Sequence, residues 1–329
     1  MEVEKKSAKI SRRRFLQHCT VYGIVVAGFG LGPVIKRKRK VYSFSRPVMG
    51  TIGEIKIVHS SPKKAASLAE RGFQILSEVE NRLTKFSSTS EIGQINLKAA
   101  KERVPVSKET GTLLKEAQHW TRVTGGSFDP ALGRLVQLWN LESKKVPEER
   151  EIEKYLGISC SKDLEILFQK DSAQIRFLHP ELSLDLGGIG KGYGVDQVME
   201  FMKNEGVEQG LINIGGEIGA FGEKGWKVGI RNPRNPKKII HAFTLQNACC
   251  ATSGNYYQYF FGPHHRLYHH LIHPEKGIPE PKFFQSLTIV HPRATVADAL
   301  STGLFFKTPR EGKRILEENT ERGKLYYFV

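Results

Sequence analysis

The sequence predicts an α+β fold with antiparallel sheets, and three observations support this class. The chain has 329 residues, of which 39% are hydrophobic and 26% charged. This composition excludes a polytopic membrane protein and a disordered chain, and the length is ample for a large core. Apolar residues recur with both the helical and the strand period. The predicted strands arrive mostly in pairs, which disfavours the regular strand–helix alternation of a parallel sheet.

The elements of the first half follow from local pattern. Residues 51–58 alternate apolar and polar side chains as a strand does. Pro62 begins a helix whose apolar residues recur at helical spacing as far as Leu83. The remaining predictions here are helices over 108–121 and 129–139, a polar loop over 143–150, and strands over 164–168, 174–177 and 182–186.

The second half continues in the same mixed style without an internal repeat. A helix is predicted over 195–203, where Val195, Val198, Met199 and Met202 share one face. The predicted strands are 210–214, 226–230, 239–245, 267–272 and 286–290. Two final helices are predicted over 296–306 and 309–319.

The net charge of +16 is concentrated at the N-terminus. Residues 1–40 contain eleven Lys and Arg against two acids, which leaves an excess of only +7 for the other 289 residues. Arg12-Arg13-Arg14-Phe15-Leu16 precedes an uncharged stretch that ends at Ile35, and a basic block follows. This layout resembles the twin-arginine signal that bacteria use to export folded proteins. A nucleic-acid-binding arm would have no use for the uncharged stretch, so nucleic acid is not an expected partner.

Residues 1–40 are therefore predicted to be an export signal or a membrane anchor, and residues 41–329 the functional domain. No Ala-x-Ala cleavage site follows the apolar run, and Phe15–Ile35 is long enough to span a bilayer. The expected location is the periplasmic side of a bacterial inner membrane, with the twin-arginine machinery and that membrane as partners. The four cysteines are too irregularly placed to predict a structural disulfide.

The segment Asp185-Leu-Gly-Gly-Ile-Gly-Lys-Gly-Tyr-Gly-Val-Asp196 has the composition of an anion-binding loop. Glycines let backbone N–H groups approach a phosphate, a following helix adds its positive end, and Lys191 supplies a cation. The spacing matches neither the dinucleotide-binding fingerprint nor the P-loop. The alternative is a simple glycine-rich turn between a strand and a helix.

Asp298 and Thr302 stand four residues apart in a predicted helix, so they share a face and could bind one hard cation such as Mg²⁺. The alternative is structural, because Thr295 and Asp298 have the spacing of a helix-capping box. His264, His265, His269, His270 and His273 invite a zinc hypothesis, but their spacing disfavours it. One histidine that acts as acid, base or phosphate donor is the better interpretation.

Together, and in this order, several short segments resemble the ApbE family, flavin transferases that move FMN from FAD onto a protein threonine. The resemblance runs from about Arg46 to the C-terminus. Its pieces are Pro47–Thr51, Arg82–Phe86 with Ser90–Ile92 and Asn96, Gly125–Pro130, Asp185–Asp196, Asn213–Glu217, Thr252–Gly254, His270–Ile272 and Asp298–Thr302. The family fold is α+β, a T-fold-related, duplicated arrangement of antiparallel sheets with helices, and it is expected here.

The resemblance also implies a site. Asp298, Thr302 and a backbone carbonyl at about Gly188 would bind Mg²⁺. The implied residues around FAD are Met49, Phe86, Asp129, Gly187, Gly188, Lys191, Ser253, Gly254 and His270. The implied catalytic residues are Asp298, His270 and Lys191. His273 stands where the family motif has an aspartate, which puts a role for an acid at that position in doubt.

The implied function is Mg²⁺-dependent transfer of FMN from FAD to a threonine of an acceptor redox protein, with release of AMP. Two alternatives remain open from the sequence. The first is hydrolysis of FAD to FMN and AMP, with water in place of the threonine. The second is a non-catalytic periplasmic flavin-binding protein, which would hold FAD without a metal.

Overall fold

The structure is a computed structural model that describes residues 38–256, 258–279 and 283–328. The predicted export segment, apart from its last residues, lies outside the described residues. From Arg39 onward the chain forms one compact unit. Within the described part, no helix combines the length and the hydropathy needed to cross a membrane.

The strands, in chain order, are β1 (Lys40–Val48), β2 (Thr51–His59), β3 (Val104–Ser107), β4 (Leu164–Phe168), β5 (Ser172–Phe177), β6 (Gly210–Ile214), β7 (Glu217–Phe221), β8 (Trp226–Asn232), β9 (Asn235–Leu245), β10 (Ala248–Gly254), β11 (Tyr259–Phe261), β12 (Leu267–His269), β13 (Ser286–His291) and β14 (Lys324–Phe328). The helices are α1 (Pro62–Leu83), α2 (Glu91–Lys98), α3 (Lys108–Val123), α4 (Gly133–Trp139), α5 (Glu149–Glu153), α6 (Cys160–Asp163), α7 (Gly190–Asn204), α8 (Ala294–Leu304) and α9 (Pro309–Asn319).

A seven-stranded sheet in the order β1-β2-β6-β7-β10-β13-β14 is the centre of the fold, and every strand pair in it is antiparallel. A three-stranded sheet in the order β3-β5-β4 and two hairpins, β8–β9 and β11–β12, complete the sheets of the described part. The predicted α+β class is therefore confirmed.

Two local signals explain the first elements. Met49 and Gly50 both have positive φ angles, 51° and 71°, and these close the β1–β2 hairpin. Ser61 accepts a hydrogen bond from the Lys64 N–H and caps α1, whose first residue is Pro62. The predicted strand over 51–58 and the predicted helix from Pro62 are confirmed.

Helices α1, α7 and α8 pack on one face of the central sheet. Residues of α1 and α7, such as Phe73, Leu76 and Val198, share a core with Ile55 and Ile212 of the sheet. The base of the β8–β9 hairpin also packs on the central sheet. There, Val228 and Leu245 of the hairpin share a small core with Ala220 of β7, Cys250 of β10 and Val290 of β13. This layering brings the starts of α7 and α8 together.

Some predicted elements are wrong in type or extent. Residues 182–186 do not form a strand: Ser183 makes one isolated parallel bridge to Leu132, and only burial makes the segment resemble a strand. The strand predicted over 267–272 ends at His269. The helix predicted from Asp129 begins at Gly133, because the Asp129 carboxylate accepts the Ala131 N–H and holds that segment in a turn.

Other elements were not predicted from the sequence, namely β1, β3, β11, β14, α2, α5 and α6. Cys160, Cys249 and Cys250 are buried free thiols, so the described cysteines confirm the prediction of no structural disulfide.

Candidate functional site

The glycine-rich segment is mostly helix and only partly loop. Helix α7 begins at Gly190, five residues earlier than predicted, so Lys191 lies in its first turn. A Cβ atom on Gly192 would lie 2.3 Å from the carbonyl oxygen of Ala294. Glycine at 192 is therefore required for close packing of α7 on α8, and only residues 185–189 remain as a loop able to approach an anion.

Asp185 fixes this loop from its first residue. Its Oδ1 accepts the Gly187 N–H at 2.8 Å, and its Oδ2 lies 2.6 Å from Nζ of Lys85. The ring of Phe86 is 89% exposed, and Lys85 Nζ lies 5.2 Å from its centroid. The loop therefore carries a braced carboxylate and has an exposed aromatic ring nearby.

Lys191 and Glu217 form an ion pair beside the loop. Nζ of Lys191 lies 3.1 Å from Oε1 of Glu217 and donates to the Gly187 carbonyl at 3.4 Å. Burial lowers the pKa of Lys191, but Glu217, Asp298 and Asp185 together outweigh it and raise the pKa above its ordinary value. The lysine is therefore protonated at any physiological pH.

Glu217 is buried, and its second oxygen, Oε2, has no hydrogen-bond partner among the described residues. The residue follows the Gly215-Gly216 turn, in which both glycines have positive φ angles, and it begins β7. A buried carboxylate of which only one oxygen pairs with a lysine costs folding free energy. Its position next to the loop therefore indicates a functional role.

Asp298 is 2% exposed and lies inside helix α8. Its Oδ2 accepts the Gly192 N–H at 2.9 Å. Burial raises the pKa of Asp298 to about 7, although Lys191 opposes the shift. A buried carboxylate with so high a pKa is one that a bound cation would stabilise in its charged form.

The capping-box alternative for Asp298 is wrong. Helix α8 begins at Ala294, and its N-terminus is capped from α7 by Asp196, which accepts the Ala294 N–H at 2.7 Å and the Thr295 N–H at 2.9 Å. Asp298 lies one turn further along the helix, so it takes no part in the cap. Its burial must have another reason.

Oxygen atoms converge next to Asp298. Thr302 follows one helical turn later, and a Cβ atom on Gly188 would lie 3.0 Å from its Oγ1, so the loop backbone passes close to this hydroxyl. Oγ of Ser253 lies 2.9 Å from Oγ of Ser301 and 3.4 Å from Oγ1 of Thr302. The structure thus places the backbone of Gly188 beside Thr302, one helical turn from Asp298, with the Ser253 hydroxyl next to that of Thr302.

The donor chemistry fits magnesium and not zinc. A carboxylate, a hydroxyl and a backbone carbonyl are hard oxygen ligands, and Mg²⁺ commonly keeps several waters beside one or two carboxylates. Among the described residues, no group of three or more His, Cys, Asp or Glu side chains is arranged to hold a metal ion.

The adjacent histidines have different surroundings. His269 is fully buried, and its ring packs edge-to-face on Phe305 with the centroids 6.0 Å apart. Burial lowers the pKa of His270 to about 4, and the nearby charges of Lys191 and Asp185 act on the ring in opposite directions. Nδ1 of His270 is buried and has no partner within the described residues. His270 is therefore a neutral ring near the loop with a ring nitrogen available.

Met49 and Asp129, two of the residues implied to surround FAD, contact or brace segments next to the loop. The Met49 side chain contacts the start of α7, where its sulfur would lie 3.1 Å from a Cβ on Gly194. Asp129 accepts the N–H groups of Ala131 at 2.9 Å and Cys160 at 3.1 Å, and burial raises its pKa. Protein donors occupy the Asp129 carboxylate, which therefore braces the turn whose Pro130 carbonyl accepts the Asp185 N–H.

Gly254 ends β10 next to Ser253, and a Cβ atom there would lie 2.4 Å from the Tyr256 ring. Sequence reasoning missed Glu217 and Lys85 as site residues. Each lay inside a segment already singled out, but a lone acid after a turn, or a lysine before a phenylalanine, carries no signal until the partner residue is known.

Comparisons with known proteins relate the chain to one family. The sequence model of the ApbE family matches residues 49–326. The FAD:protein FMN transferase of Klebsiella pneumoniae (strain 342) is 30% identical over 269 residues, which cover 81% of this chain and 82% of the relative. The FAD:protein FMN transferase of Vibrio cholerae (Classical Ogawa 395) is 31% identical over 285 residues and covers 84% of each chain.

Solved structures show the same fold. The ApbE protein of Thermotoga maritima superposes with a TM-score of 0.75 at 28% identity, covering 88% of this chain and 97% of its own. The apo form of the flavinyl transferase ApbE from Pseudomonas stutzeri has a TM-score of 0.73 at 27% identity, covering 85% and 89%.

Proposed function

The chain belongs to the ApbE family, and on that premise we propose that it is an enzyme that transfers FMN from FAD to an acceptor protein. The two relatives described above are named FAD:protein FMN transferase, and their alignments with this chain cover more than four fifths of each protein. The observation that carries the proposal is the charge cluster at the glycine-rich loop, where Lys191 forms an ion pair with the buried Glu217 and the buried carboxyl group of Asp298 lies nearby.

The pyrophosphate of FAD is the group that this loop would hold. Breaking its phosphoanhydride bond places negative charge on the departing AMP and on the FMN phosphoryl group. The ammonium of Lys191 stays charged because of the carboxylates around it, and the start of α7 points its positive end to the loop. Both features stabilise that charge more in the transition state than in bound FAD.

Asp298, the hydroxyl of Thr302 and the carbonyl of Gly188 are the residues that would hold magnesium. Bound Mg²⁺ would neutralise charge on the phosphate oxygens and orient them. The Gly192 N–H holds one oxygen of Asp298 in place, and Ser253 and Ser301 pack beside the Thr302 hydroxyl. These contacts fix the ligand set before FAD arrives.

The acceptor hydroxyl, proposed to belong to a threonine, must lose its proton as it attacks. Loose phosphoryl transfer needs little help from a base, so orientation of the hydroxyl matters most. His270 has a ring nitrogen without a partner in the described structure and is neutral above its pKa of about 4. We assign His270 to hold the hydroxyl, with Asp298 as the stronger base nearby.

The decisive experiment incubates the protein with FAD, Mg²⁺ and a purified candidate redox protein. Covalent gain of one FMN mass on an acceptor threonine, with one AMP released, is the expected result. Release of AMP without the adduct would assign hydrolysis instead. FAD held equally well in the presence of a chelator, with no turnover, would assign a binding protein.

Phe86→Ala should raise the KM for FAD roughly tenfold with little change in kcat or stability, because an exposed ring gives a flavin a stacking surface. Steady-state kinetics and thermal unfolding measure both effects. Phe168→Ala, at an exposed aromatic on β4, is the matched control and should leave the KM unchanged. An unchanged KM in the Phe86 variant would remove this residue from the flavin site.

Export is the second half of the proposal, with residues 1–40 as its signal. Replacing Arg12, Arg13 and Arg14 by lysine keeps the charge but removes the arginine signature, and it should retain the protein in the cytoplasm. Cell fractionation and immunoblotting measure this. Unchanged appearance on the periplasmic side of the membrane would contradict twin-arginine export.

A further inference from the structure

The basic hairpin, residues 224–245, contains almost all of the charge excess of the domain. Beyond residue 40 the chain has 39 Lys and Arg against 32 acids. Residues 224–245 have no acid, and their basic residues are Lys224, Lys227, Arg231, Arg234, Lys237 and Lys238. Six of the seven excess charges therefore lie on one hairpin, formed by β8 and β9.

Four of these six charges are not neutralised by carboxylates of the described residues. Lys227, Arg231, Lys237 and Lys238 are all exposed. None of these four forms an ion pair with a described acidic residue, whereas Lys85, Lys191 and Arg293 all do. An acid-free cluster of this kind creates a positive potential that needs an external partner.

The two ends of the basic hairpin differ in their packing. At its base, Val228 and Leu245 are buried against the central sheet. From Arg234 to Ala242 every residue is exposed. The ring of His241 still contacts the central sheet, since its centroid lies 5.1 Å from that of Tyr326 on β14. Because successive strand residues point to opposite faces, the continuous exposure of residues 234–240 means that both faces of this distal part meet solvent. The hairpin therefore projects beyond the sheet from Ile240 to its tip.

The distal register presents two isoleucines between the lysines and the base. Arg231 pairs with Ile239 while Asn232 pairs with Asn235, so Pro236, Lys237 and Lys238 bulge out without partners. Ile239 is 58% exposed and Ile240 43% exposed. Lysines and a proline bulge alone would merely protect a strand edge from pairing. Two exposed isoleucines beside them would instead favour unwanted association of the strand, unless these side chains are buried in an apolar environment such as a membrane.

We propose that the basic hairpin docks the enzyme on an anionic phospholipid bilayer. The lysines and arginines would lie among the headgroup phosphates, and Ile239 and Ile240 would enter the boundary between headgroups and acyl chains. Four of the six cations are lysines. The ammonium group of lysine acts as a point charge without a fixed bidentate geometry, so it suits the mobile phosphates of a lipid surface. If residues 1–40 act as a membrane anchor and not as a cleaved signal, Phe15–Ile35 would hold the enzyme at such a surface. This inference does not depend on the catalytic proposal.

The test is hydrogen–deuterium exchange of the full-length protein mixed with vesicles. With phosphatidylcholine vesicles that contain phosphatidylglycerol, the amides of residues 237–242 should exchange more slowly. Phosphatidylcholine alone, or high salt, should abolish the protection. The readout is local to the hairpin, so binding by any other part of the chain does not produce it.

The variant with Lys227→Gln, Lys237→Gln and Lys238→Gln should lose the protection. Each lysine near an anionic surface strengthens association roughly fivefold, so three should account for a factor on the order of 100. A variant with Lys63→Gln, Lys98→Gln and Lys101→Gln removes the same charge from exposed positions elsewhere and should keep the protection. Ile239→Ser with Ile240→Ser should weaken it without changing its salt dependence.

Three outcomes would overturn the proposal. Protection could be absent, or equal with phosphatidylcholine alone. The control variant could lose it as fully as the hairpin variant, which would reduce the effect to net charge. Protection could also appear only when an acidic acceptor protein is added, with slower FMN transfer by the hairpin variant, which would make the hairpin a protein-docking surface.

Discussion

Asp298→Asn is expected to abolish FMN transfer while the fold survives. The amide keeps the shape of the side chain and can still accept the Gly192 N–H, but it removes the charge proposed to hold magnesium. Loss of that electrostatic stabilisation should slow turnover by about 10³-fold or more. Rates of FMN transfer and AMP release, measured across magnesium concentrations, check this. Activity close to that of the parent protein would return Asp298 to a structural role.

Stability gives an independent readout of the same variant. Because burial raises the pKa of Asp298 to about 7, its folded state keeps a proton that the unfolded state releases above about pH 4. Without metal, ionisation should therefore destabilise the parent protein progressively as the pH rises from about 4 to 7. The variant lacks this penalty, so at pH 8 it should unfold at a higher temperature, and the difference should vanish in acid.

Lys191→Met is the second change with a large expected effect. It removes the only cation that the described structure pairs with Glu217, and transfer should slow by roughly 10²- to 10³-fold. The lysine side chain keeps 28% of its surface in solvent, so the loss of stability should be moderate, roughly 1 to 3 kcal/mol. Denaturant unfolding and single-turnover kinetics measure the two effects separately.

A double variant separates chemistry from folding. Lys191→Met with Glu217→Gln leaves no uncompensated carboxylate at position 217, so it should recover most of the lost stability and none of the activity. If the double variant regained activity as well, Lys191 would serve only to neutralise Glu217. Glu217→Gln alone should be intermediate, because the ammonium remains but loses its strongest positioning contact.

Helix α1, the segment 182–186 and the start of α7 differ in how far the sequence alone could predict them. Helix α1 could be predicted because capping, a first-turn proline and periodic apolar residues all lie within one segment. The segment 182–186 could not, since Ser183 makes only an isolated bridge to Leu132, and the alternate burial of the leucines by itself produces a strand-like pattern. The start of α7 was placed too late because glycines that normally break helices are tolerated there by the contact with α8.

The sequence by itself determined the α+β class, the order of the motifs, and the pairing of Asp298 with Thr302, because helical periodicity puts residues four apart on one face. It also located most of the charge in the first forty residues. Only the tertiary structure decided between a capping and a buried Asp298, since the true cap, Asp196, comes from another helix about a hundred residues away. Glu217 beside Lys191, and the concentration of the remaining charge on one projecting hairpin, likewise depend on contacts and exposure that folding creates.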